Sequence, residues 1–599
     1  MSAEDYRRGK QLLAEGHVLE AIDHFRRALL ASPGDTRLEY GLMLARSRAT
    51  PGSGLWSELR TVLARADLPP DWRWQFMCVQ AKLLKSAGER EPARLAESAA
   101  LYLAAHRLAG DSYPGVNAAS LLALCGREEE SAALAASLLD GLPAGDGEDY
   151  WLAATRGELC VLLAREDEAE RAYAVADRLS AGHHGDRASI RRQLQMLAAR
   201  RPAACARILS EAFPQPHVSV FSGHRLDRPG APAARFPADR IDRVRAALER
   251  FAKAHAGGLS YSSAASGGDI LFIEAMLARG AQAHIVLPVP PEQFVEESVR
   301  DAGSHWTERF GAVLARATRV VVAHHAVSEV PAALYHYTNL LSDGLAQLHA
   351  DAIDGRVSHL AVLHAHSLAP TVGGTRHEVE RWHGRGYRVE IVDPLPEAGA
   401  ASPPAPAAPA SAAGEEPGLA VRAMLFADLV GSSRFAAEDI PRLLGHFLGE
   451  ARRLIDSFGL RPRLRNTWGD GLFLVLDGVE DAARLASALA RDIAWPRQDA
   501  EATPAIRVSL HAGPVMELHD AILDRSNVFG HHVIRAARVE PVTPPGEVFA
   551  TEEAAALLRA TGESRFDCVY MGRISMPKGF GETPIYRIDA PGRADPGAC

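Results

Sequence analysis

Two aspartates in the last third of the chain have the side-chain type and spacing that metal-dependent phosphoryl chemistry requires. Asp428 closes the apolar run that begins at Met424, and a small-residue turn through Gly431 and Ser432 follows it. Asp470 lies between two glycines, in a sequence typical of a hairpin turn between two β-prone arms. Each carboxylate is therefore expected at the end of a strand. Two such carboxylates about forty residues apart can hold hard divalent cations against a triphosphate.

Four further segments accompany the two aspartates. They are a strand ending in a small-residue turn, a helix, a Pro-Pro-Gly-Glu-Val turn and a late lysine turn, at 506–515, 528–540, 544–548 and 577–580. With the aspartates, this order of motifs resembles the catalytic domain of class III nucleotide cyclases, the adenylate and guanylate cyclase family. The resemblance implies an α+β, ferredoxin-like cyclase domain over residues 418–590.

The chemistry implied by the resemblance is intramolecular phosphoryl transfer, in which the ribose 3′ oxygen attacks the α-phosphorus and pyrophosphate leaves. Asp428 and Asp470 would bind two Mg²⁺ or Mn²⁺ ions. The backbone amides of the turn at Gly431–Ser432 would contact phosphate oxygens. Arg538 would stabilise charge on the α-phosphate, and Lys578 would bind phosphate or help to recognise the base. Because family sites form between two catalytic domains, the resemblance also implies a homodimer.

Three positions depart from the family pattern. Ile534 stands where the family helix carries an asparagine that orients the ribose, and losing one transition-state donor typically costs roughly 10²–10³ in rate. Asn466 and Asn527 stand at the two base-contacting positions. An amide both donates and accepts, so neither residue selects adenine over guanine, although ATP is the first expected substrate. Adjacent His531 and His532 are expected to begin a helix in contact with solvent.

Composition restricts the class of protein further. The 599 residues, 47% of them apolar, can form several domains with real cores. A net charge of −9 without a concentrated basic stretch argues against a dedicated nucleic-acid binder. Six scattered cysteines without a CxxC pair indicate a reducing compartment. No signal peptide or membrane span is apparent in the sequence, so we expect a cytoplasmic protein.

Residues 1–210 are predicted to be almost entirely helical. Small residues at Gly9, Ala21 and Ala28 would let two antiparallel helices approach closely, with Phe25 filling the joint between them. The pattern resembles a tetratricopeptide-like, TRAF-binding-type helical region. Such an all-α solenoid implies a protein partner on the helical repeats, and a dimerising scaffold is an equally good alternative.

Residues 215–394 alternate between strand and helix patterns, which predicts an α/β domain with a doubly wound, mainly parallel sheet. Ligands of such sheets bind at the carboxyl ends of the strands. Glycine-rich loops at two helix starts could contact an anion there, and the pattern resembles the nucleotide-sensing, SLOG-type Rossmann-like domains. The residues of this possible second nucleotide site are Gly223, Gly267, Gly268, Asp269, Gly373, Gly374 and Thr375. Tight turns and helix capping would explain the same residues.

A Pro/Ala-rich segment at 395–417 has a composition that forms no core, and it is predicted to be a linker. The sequence thus predicts a signalling protein with a helical region, an α/β domain, a linker and a C-terminal nucleotide cyclase domain. Two alternatives remain open from sequence alone. One is a cyclase-like receptor that binds nucleotide without turnover, and the other is a protein-interaction scaffold.

Overall fold

The computed structural model describes residues 2–49, 55–88, 91–143, 145, 149–228, 234–364, 371–395, 419–432, 438–493, 495, 504–562 and 566–590. The chain forms two compact units, the first reaching Pro216 and including Asp351–Gly355, the second made of His217–Ala350 and Arg356–Pro591. The linker predicted at 395–417 lies outside the described residues, apart from Leu395.

The first unit is helical throughout its described residues, as the sequence predicts. Its helices are α1 (Ser2–Glu15), α2 (Val18–Ala31), α3 (Thr36–Ala49), α4 (Leu55–Leu63), α5 (Pro70–Ala87), α6 (Ala93–Ala109), α7 (Ser112–Leu124), α8 (Glu128–Gly141), α9 (Tyr150–Leu162), α10 (Glu166–Leu179), α11 (His184–Leu197) and α12 (Pro202–Glu211). A β-carbon on Gly9 or Gly41 would overlap the buried ring of Phe25, at 2.2 and 2.5 Å. The ring therefore packs directly against the backbones of α1 and α3.

The second unit begins with a parallel sheet. Its strands are β1 (His217–Gly223), β2 (Leu259–Ser262), β3 (Gln282–Leu287), β4 (Arg319–Val322), β5 (Arg356–Val362) and β6 (Val389–Val392). They lie in the order β4-β3-β2-β1-β5-β6, and every pairing is parallel. The predicted parallel sheet is thus confirmed.

Helices connect these strands, as parallel pairing requires. They are α13 (Ile241–Ala254), α14 (Gly268–Leu277), α15 (Pro291–Ser298), α16 (Ser304–Arg316), α17 (Ala332–Ile353) and α18 (Thr375–Gly384). The strand order reverses between β1 and β5, which is where such sheets open a crevice beyond the carboxyl ends of their strands.

A second, mostly antiparallel sheet follows. Its strands are β7 (Leu419–Val430), β8 (Leu464–Trp468), β9 (Gly471–Leu476), β10 (Ala505–Asp520), β11 (Arg525–Phe529), β12 (Val548–Thr551), β13 (Asp567–Ser575) and β14 (Glu582–Asp589). The helices are α19 (Ile440–Ser457), α20 (Val479–Arg491), α21 (His531–Val539) and α22 (Glu552–Ala560). The order is β13-β14-β12-β10-β7-β9-β8, with β11 paired to β10.

The long strand β10 organises this sheet. It pairs with β7 along most of its length, with β12 only over Val508–Leu510, and with β11 only over Met516–Asp520. Between those two stretches, the edge of β10 away from β7 has no strand partner among the described residues. The hydroxyl of Tyr337 on α17 donates to the carbonyl oxygen of Ala512 there, at 3.3 Å.

The two sheets of the second unit are also in contact through α17 and α22. A β-carbon on Gly344 would lie 1.8 Å from the carbonyl oxygen of Ala556, so the two helix backbones touch at this glycine. Arg319 on β4 forms two hydrogen bonds with the carboxylate of Glu552, at 2.9 and 2.6 Å. The two sheets are therefore joined by the contact between α17 and α22 and by the ion pair of Arg319 with Glu552.

Within the described ranges, we find no helix that has both the length and the apolar character needed to cross a membrane.

Candidate active site

Asp428 and Asp470 come together because their strands are neighbours. Asp428 lies near the end of β7, opposite Gly471 on β9 and Arg507 on β10. The predicted hairpin turn is present: Trp468 pairs with Gly471, so the turn consists of Gly469 and Asp470, with Gly469 at a positive φ of 56°, whereas the sequence prediction also included Gly471. The two carboxyl groups are close enough for Asp470 to raise the pKa of Asp428.

Arg507 and Glu540 complete this group of charges. The guanidinium of Arg507 donates to one carboxylate oxygen of Asp428, from Nε at 3.1 Å and from Nη2 at 2.6 Å. It also forms an ion pair with Glu540, which directly follows α21. Sequence reasoning assigned neither residue to the site. Strand register was the missing information, because only the pairing of β7 with β10 brings Arg507 beside Asp428.

The surroundings raise the pKa values of two of these carboxyl groups, Asp428 and Glu540. Burial and the neighbouring charge of Asp470 raise the pKa of Asp428, and the hydrogen bond from Arg507 opposes that rise. Burial also raises the pKa of Glu540, again opposed by Arg507. Three carboxylates and one guanidinium share a partly buried space, so their formal charges sum to −2 when all are ionised. Such a group is balanced by one divalent cation.

The donor set suits a hard cation. Asp428 and Asp470 supply carboxylate oxygens, and the hydroxyl of Ser432 donates to Asp470 from the adjoining turn. Oxygen ligands of this kind are those that Mg²⁺ and Mn²⁺ bind in proteins. Gly431 adopts a positive φ of 73°, which turns the chain sharply after β7 and keeps Ser432 beside the carboxylates.

The two predicted cationic residues lie on other elements. Arg538 is on α21, and within the described part of the chain its guanidinium has neither a hydrogen bond nor an ion pair. Lys578 is exposed in the turn between β13 and β14 and adopts a positive φ of 60°. Among the described residues, therefore, no protein acceptor occupies the Arg538 guanidinium.

The predicted base-contacting residues lie near each other at the β8 and β11 edge. The side-chain oxygen of Asn466 accepts from Arg525 at 3.2 Å. The amide nitrogen of Asn527 donates to Asp520 at 2.8 Å. Ile534, on the following helix, exposes 48% of its surface. An apolar side chain thus projects from α21, where the family resemblance implies a hydrogen-bonding amide.

The expectation for the histidine pair is wrong for His532. This side chain is 1% exposed, and its Nδ1 lies 2.8 Å from Nε2 of His511 on β10. His531 stacks on Phe580 and contacts His325 of the loop after β4. The helix starts inside the protein because Gly513 lacks a side chain, which leaves the space that His532 fills.

The glycine-rich loop at the start of α14 packs closely against the end of β1. The amide of Gly268 donates to the carbonyl of His224 at 3.2 Å, and Gly267 has a positive φ of 98°. The buried carboxyl of Asp269 accepts from the amide of Ala265 at 3.1 Å, and burial raises its pKa to about 7. These groups cap their own loop, so the expected nucleotide contact at this loop stays a prediction.

The second glycine loop lies at the start of α18. The amide of Gly374 donates to the carbonyl of Thr371 at 2.9 Å, and Thr375 is the first residue of the helix. Gly373 has a positive φ of 78°, and a β-carbon there would lie 2.8 Å from the carbonyl oxygen of Ala332. The loop therefore packs against the beginning of α17, and a nucleotide role for it also stays a prediction.

A family model matches the C-terminal part of the chain. Residues 420–590 match the family model of the adenylate and guanylate cyclase catalytic domain. The matched segment contains the whole second sheet from Ala420 and each member of the carboxylate group. This match supports a nucleotide cyclase-type catalytic domain for residues 420–590. Among curated proteins the chain finds no match.

Several solved structures that are similar to part of this chain are adenylate or guanylate cyclases. The guanylate cyclase domain of RhGC from Catenaria anguillulae, in complex with GTP, is 19% identical, with 28% of this chain and 97% of that chain covered and a TM-score of 0.25. The adenylyl cyclase CyaB from P. aeruginosa is 18% identical, with 29% and 96% covered and a TM-score of 0.26. A Trypanosoma brucei adenylate cyclase in its monomeric state is 18% identical, with 29% and 90% covered and a TM-score of 0.25.

Proposed function

We propose that the C-terminal domain is a nucleotide cyclase, which converts a nucleoside triphosphate to a 3′,5′-cyclic nucleotide and pyrophosphate. The observation that carries this proposal is the pair of neighbouring carboxyls at Asp428 and Asp470, held by Arg507 in a domain matched by the cyclase family model. The protein would act in cytoplasmic signalling, with ATP as the first substrate to test.

The residues have distinct roles in the proposed reaction. Asp428 and Asp470 would hold two Mg²⁺ or Mn²⁺ ions, which supply Lewis acidity toward the 3′ hydroxyl and the triphosphate. The amides at Gly431 and Ser432 would contact phosphate oxygens. Arg507 orients the carboxylate of Asp428 through two hydrogen bonds to one oxygen. The other oxygen of Asp428 is thereby left to face a ligand.

Arg538 and Lys578 would act on the substrate side. The bond from the ribose 3′ oxygen to the α-phosphorus forms as the bond to the pyrophosphate oxygen breaks, and negative charge develops on the phosphoryl oxygens. The Arg538 guanidinium, which has no acceptor among the residues that the structure describes, is suited to stabilise this charge. Lys578 would contact the phosphate or the base, beside Asn466 and Asn527.

The direct test is a panel of nucleoside triphosphates. Purified full-length protein is incubated with each triphosphate and Mn²⁺, and products are separated by chromatography. We expect one cyclic nucleotide, with production reduced by about 10³-fold or more in Asp428→Asn, since that carboxylate holds the reacting groups. Asp481→Asn, at an exposed position on α20, should leave the rate unchanged. A product that Asp428→Asn does not diminish would exclude this site.

A nucleotide receptor is the second candidate, and Ile534 is the observation that favours it. Its side chain can donate no hydrogen bond to a ribose, yet it projects from the helix that carries Arg538. In this case the protein would bind a triphosphate tightly and release no cyclic product from any member of the panel. Equilibrium binding of each triphosphate, measured beside the turnover assay, separates the two candidates.

We also propose that the cyclase domain works as a homodimer. Large apolar side chains are exposed around the β10–β11 hairpin and its neighbours, and burial against a second copy would remove them from water. They are Trp468, Met516, Leu518, Ile522, Leu523, Phe529 and Ile534. The carboxylates of one chain would then act with the Arg538 of the other.

Complementation between two inactive variants tests the dimer. Asp428→Asn and Arg538→Ala are each expected to be inactive alone. Mixed in equal amounts, they should restore roughly a quarter of the wild-type rate, because half of the dimers are mixed and each mixed dimer has one intact site. Dimers that form by sedimentation but show no restored activity would place both groups in one chain.

We propose that the preceding domains regulate the cyclase domain through α17. Tyr337 on this helix hydrogen bonds to the Ala512 carbonyl on β10, the strand that also carries Arg507. Loosening this contact should lower turnover in Tyr337→Phe by roughly two- to tenfold, the equivalent of one ordinary hydrogen bond. Tyr335→Phe is the matched control, since that hydroxyl contacts Ser298 instead. Equal rates in all three proteins would contradict the proposal.

A protein partner on the helical region remains part of the proposed function. Its expected consequence is a change in cyclase rate when the partner binds. Deletion of residues 1–210 should therefore remove the response to a cell extract while it leaves Mn²⁺-dependent basal turnover measurable. A response that survives this deletion would assign regulation to the second unit alone.

A further inference from the structure

Three side chains with metal-binding chemistry meet between α17 and α18, far in sequence from the cyclase domain. His336 lies on α17, and His377 and Glu378 lie on α18. One ligand atom from each residue lies within 4.8 Å of the other two. Two imidazole nitrogens and one carboxylate oxygen are a common protein ligand set for divalent first-row transition metals.

The distances fit a single bound ion. Oε1 of Glu378 lies 3.5 Å from Nδ1 of His336 and 3.3 Å from Nδ1 of His377. Ligands about 2.0–2.1 Å from a tetrahedral metal are about 3.3 Å from each other, which follows from the geometry of the tetrahedron. Two of the three edges therefore already have the length that coordination requires.

The other oxygen of Glu378 is held by the surrounding residues. Arg381 donates to Oε2 of Glu378 and also to Asp343, and the indole nitrogen of Trp382 donates to Asp343 at 3.1 Å. The carboxylate is 2% exposed. Its oxygen Oε1 is thus directed at the two histidines by a fixed outer layer of hydrogen bonds, as metal-binding carboxylates commonly are.

Neither histidine Nδ1 makes a short hydrogen bond among the described residues. The amide of Gly373 donates to Nδ1 of His377 at 3.4 Å, a long hydrogen bond that an ion bound at this nitrogen would replace. Nδ1 of His336 is buried and has no hydrogen-bond partner among the described residues. Oε1 of Glu378 thus faces two imidazole nitrogens, an arrangement that a cation bound between them would stabilise.

The space beside Glu378 supports an open coordination position. A small cavity of about 10 Å³ lies between the parallel sheet and these helices, and Glu378 forms part of its wall. Its other polar walls include Asn339, Asp343 and His359. Nδ1 of His359, a residue that is 2% exposed, makes no hydrogen bond within the described residues. This volume has room for about one water molecule.

We propose that His336, His377 and Glu378 bind one divalent first-row transition metal ion, with Zn²⁺ as the probe, and leave one coordination position for water or a small polar ligand. The site belongs to the α/β domain and is independent of the carboxylates of the cyclase domain. Nitrogen ligands disfavour Mg²⁺ and Ca²⁺ at this site.

The test uses the full chain and counts bound metal. Protein is freed of metal with a chelator, exchanged into buffer, loaded with Zn²⁺ and analysed by elemental mass spectrometry after removal of unbound ion. All proteins compared carry Asp428→Asn, which removes Zn²⁺ held at the cyclase carboxylates. We expect one Zn²⁺ per chain, falling at least tenfold in occupancy for His336→Ala and for His377→Ala.

Matched variants separate the loss of a metal ligand from unfolding of the protein. His383→Ala, an exposed histidine on the same helix α18, should retain the ion. Glu378→Gln keeps size and should weaken binding, which covers the case in which a histidine variant unfolds. Co²⁺ loading should give the visible absorption band of a four-coordinate ion in the parent protein and in His383→Ala, but not in His336→Ala or His377→Ala. The proposal is overturned if the parent binds no Zn²⁺, or if His383→Ala loses as much as His377→Ala.

Discussion

The carboxyl of Asp428 shows how one residue can be prepared for cation chemistry by its surroundings. Burial and Asp470 raise its pKa, and Arg507 restrains that rise while it occupies one carboxylate oxygen. An isolated aspartate at a strand end would have neither influence. The reactive form is the carboxylate, so activity must fall as pH drops through this raised pKa.

Arg507→Gln tests this electrostatic account. Without the guanidinium, the pKa of Asp428 rises further, so the acidic limb of the kcat/KM profile should move to higher pH. At neutral pH we expect kcat/KM to fall roughly tenfold or more, because a charge-assisted hydrogen bond contributes about 1.5–3 kcal/mol. Rates measured across pH 5–9 check both expectations. Arg491→Gln, on the surface of α20, should leave the profile in place, and an unmoved limb in Arg507→Gln would contradict the account.

Ile534 allows a second prediction at the same scale. Ile534→Asn restores a donor on the helix that carries Arg538, and we expect kcat to rise by up to roughly 10²–10³-fold, the typical value of one transition-state donor. Steady-state kinetics with the preferred triphosphate measure the change. Ile534→Leu keeps an apolar side chain of the same size and should not accelerate the reaction. No gain in Ile534→Asn would mean that the site has adapted to a different geometry.

At the scale of secondary structure, α17 and β10 connect the two sheets. Helix α17 carries His336 of the proposed metal site, Tyr337 at the β10 carbonyl, and Gly344 against α22. Strand β10 carries Arg507 at one end and joins the exposed β11 hairpin at the other. A displacement of α17 would thus be transmitted to the strand that orients Asp428.

Gly344→Ala tests the contact between α17 and α22. The added methyl group would overlap the carbonyl of Ala556, and such overpacking typically costs about 1–3 kcal/mol. Chemical unfolding should report this loss in the free energy of unfolding. Gly445→Ala on α19 is a matched control, since nothing lies within 4 Å of a β-carbon there. That control should gain about 0.5–1 kcal/mol from helix propensity, and equal effects in both variants would argue against a tight contact.

At the scale of the whole molecule, the parallel sheet and the cyclase-like sheet belong to one compact unit. The ion pair of Arg319 with Glu552 joins them across 233 residues of sequence, and the histidines after β4 meet those that begin α21. The C-terminal domain therefore packs against the parallel-sheet domain.

A double-mutant cycle measures the bond between the two sheets. Arg319→Met and Glu552→Gln, separately and together, should give a coupling energy of about 0.5–3 kcal/mol in the free energy of unfolding. The expectation follows from two hydrogen bonds, in which each terminal guanidinium nitrogen of Arg319 donates to a different carboxylate oxygen of Glu552. Arg452 with Asp456, exposed on α19, is the comparison pair and should couple by less than about 0.5 kcal/mol. Additive effects for Arg319 and Glu552 would show that the sheets are not joined energetically.

The buried histidines predict how stability depends on pH. Burial first, and then neighbouring positive charge, lowers the pKa of His511 and His532 well below the usual 6.5. Below about pH 6.5 the unfolded chain binds protons that the folded chain does not, so stability should fall as pH drops. The groups that face His532 are His511, His324, Arg535 and Glu553.

His532→Asn tests this dependence. The variant should lose stability less steeply between pH 6.5 and 5, by about 1.4 kcal/mol per pH unit for each proton no longer taken up on unfolding. Urea unfolding at several pH values gives the slope. His519→Asn, at an exposed position on the hairpin, should retain the wild-type slope, and an unchanged slope in His532→Asn would refute the assignment.

Local patterns in the sequence were enough to predict several parts of this molecule. The alternation of apolar strands with helices predicted the parallel sheet, and the glycines around Asp470 predicted a hairpin turn there. Both features depend on neighbours within a few residues, or on periodicity along one segment. The order of the cyclase motifs led to the same domain that the family match covers, residues 420–590.

Other features were decided only by contacts between distant segments. Arg507 could be assigned to the site only when β10 paired with β7, and His532 was buried only because Gly513 left room for its ring. His336 meets His377 and Glu378 across two helices, a meeting that no spacing along the chain reveals. Sequence fixes what each side chain can do chemically, whereas strand register and helix packing choose which side chains meet.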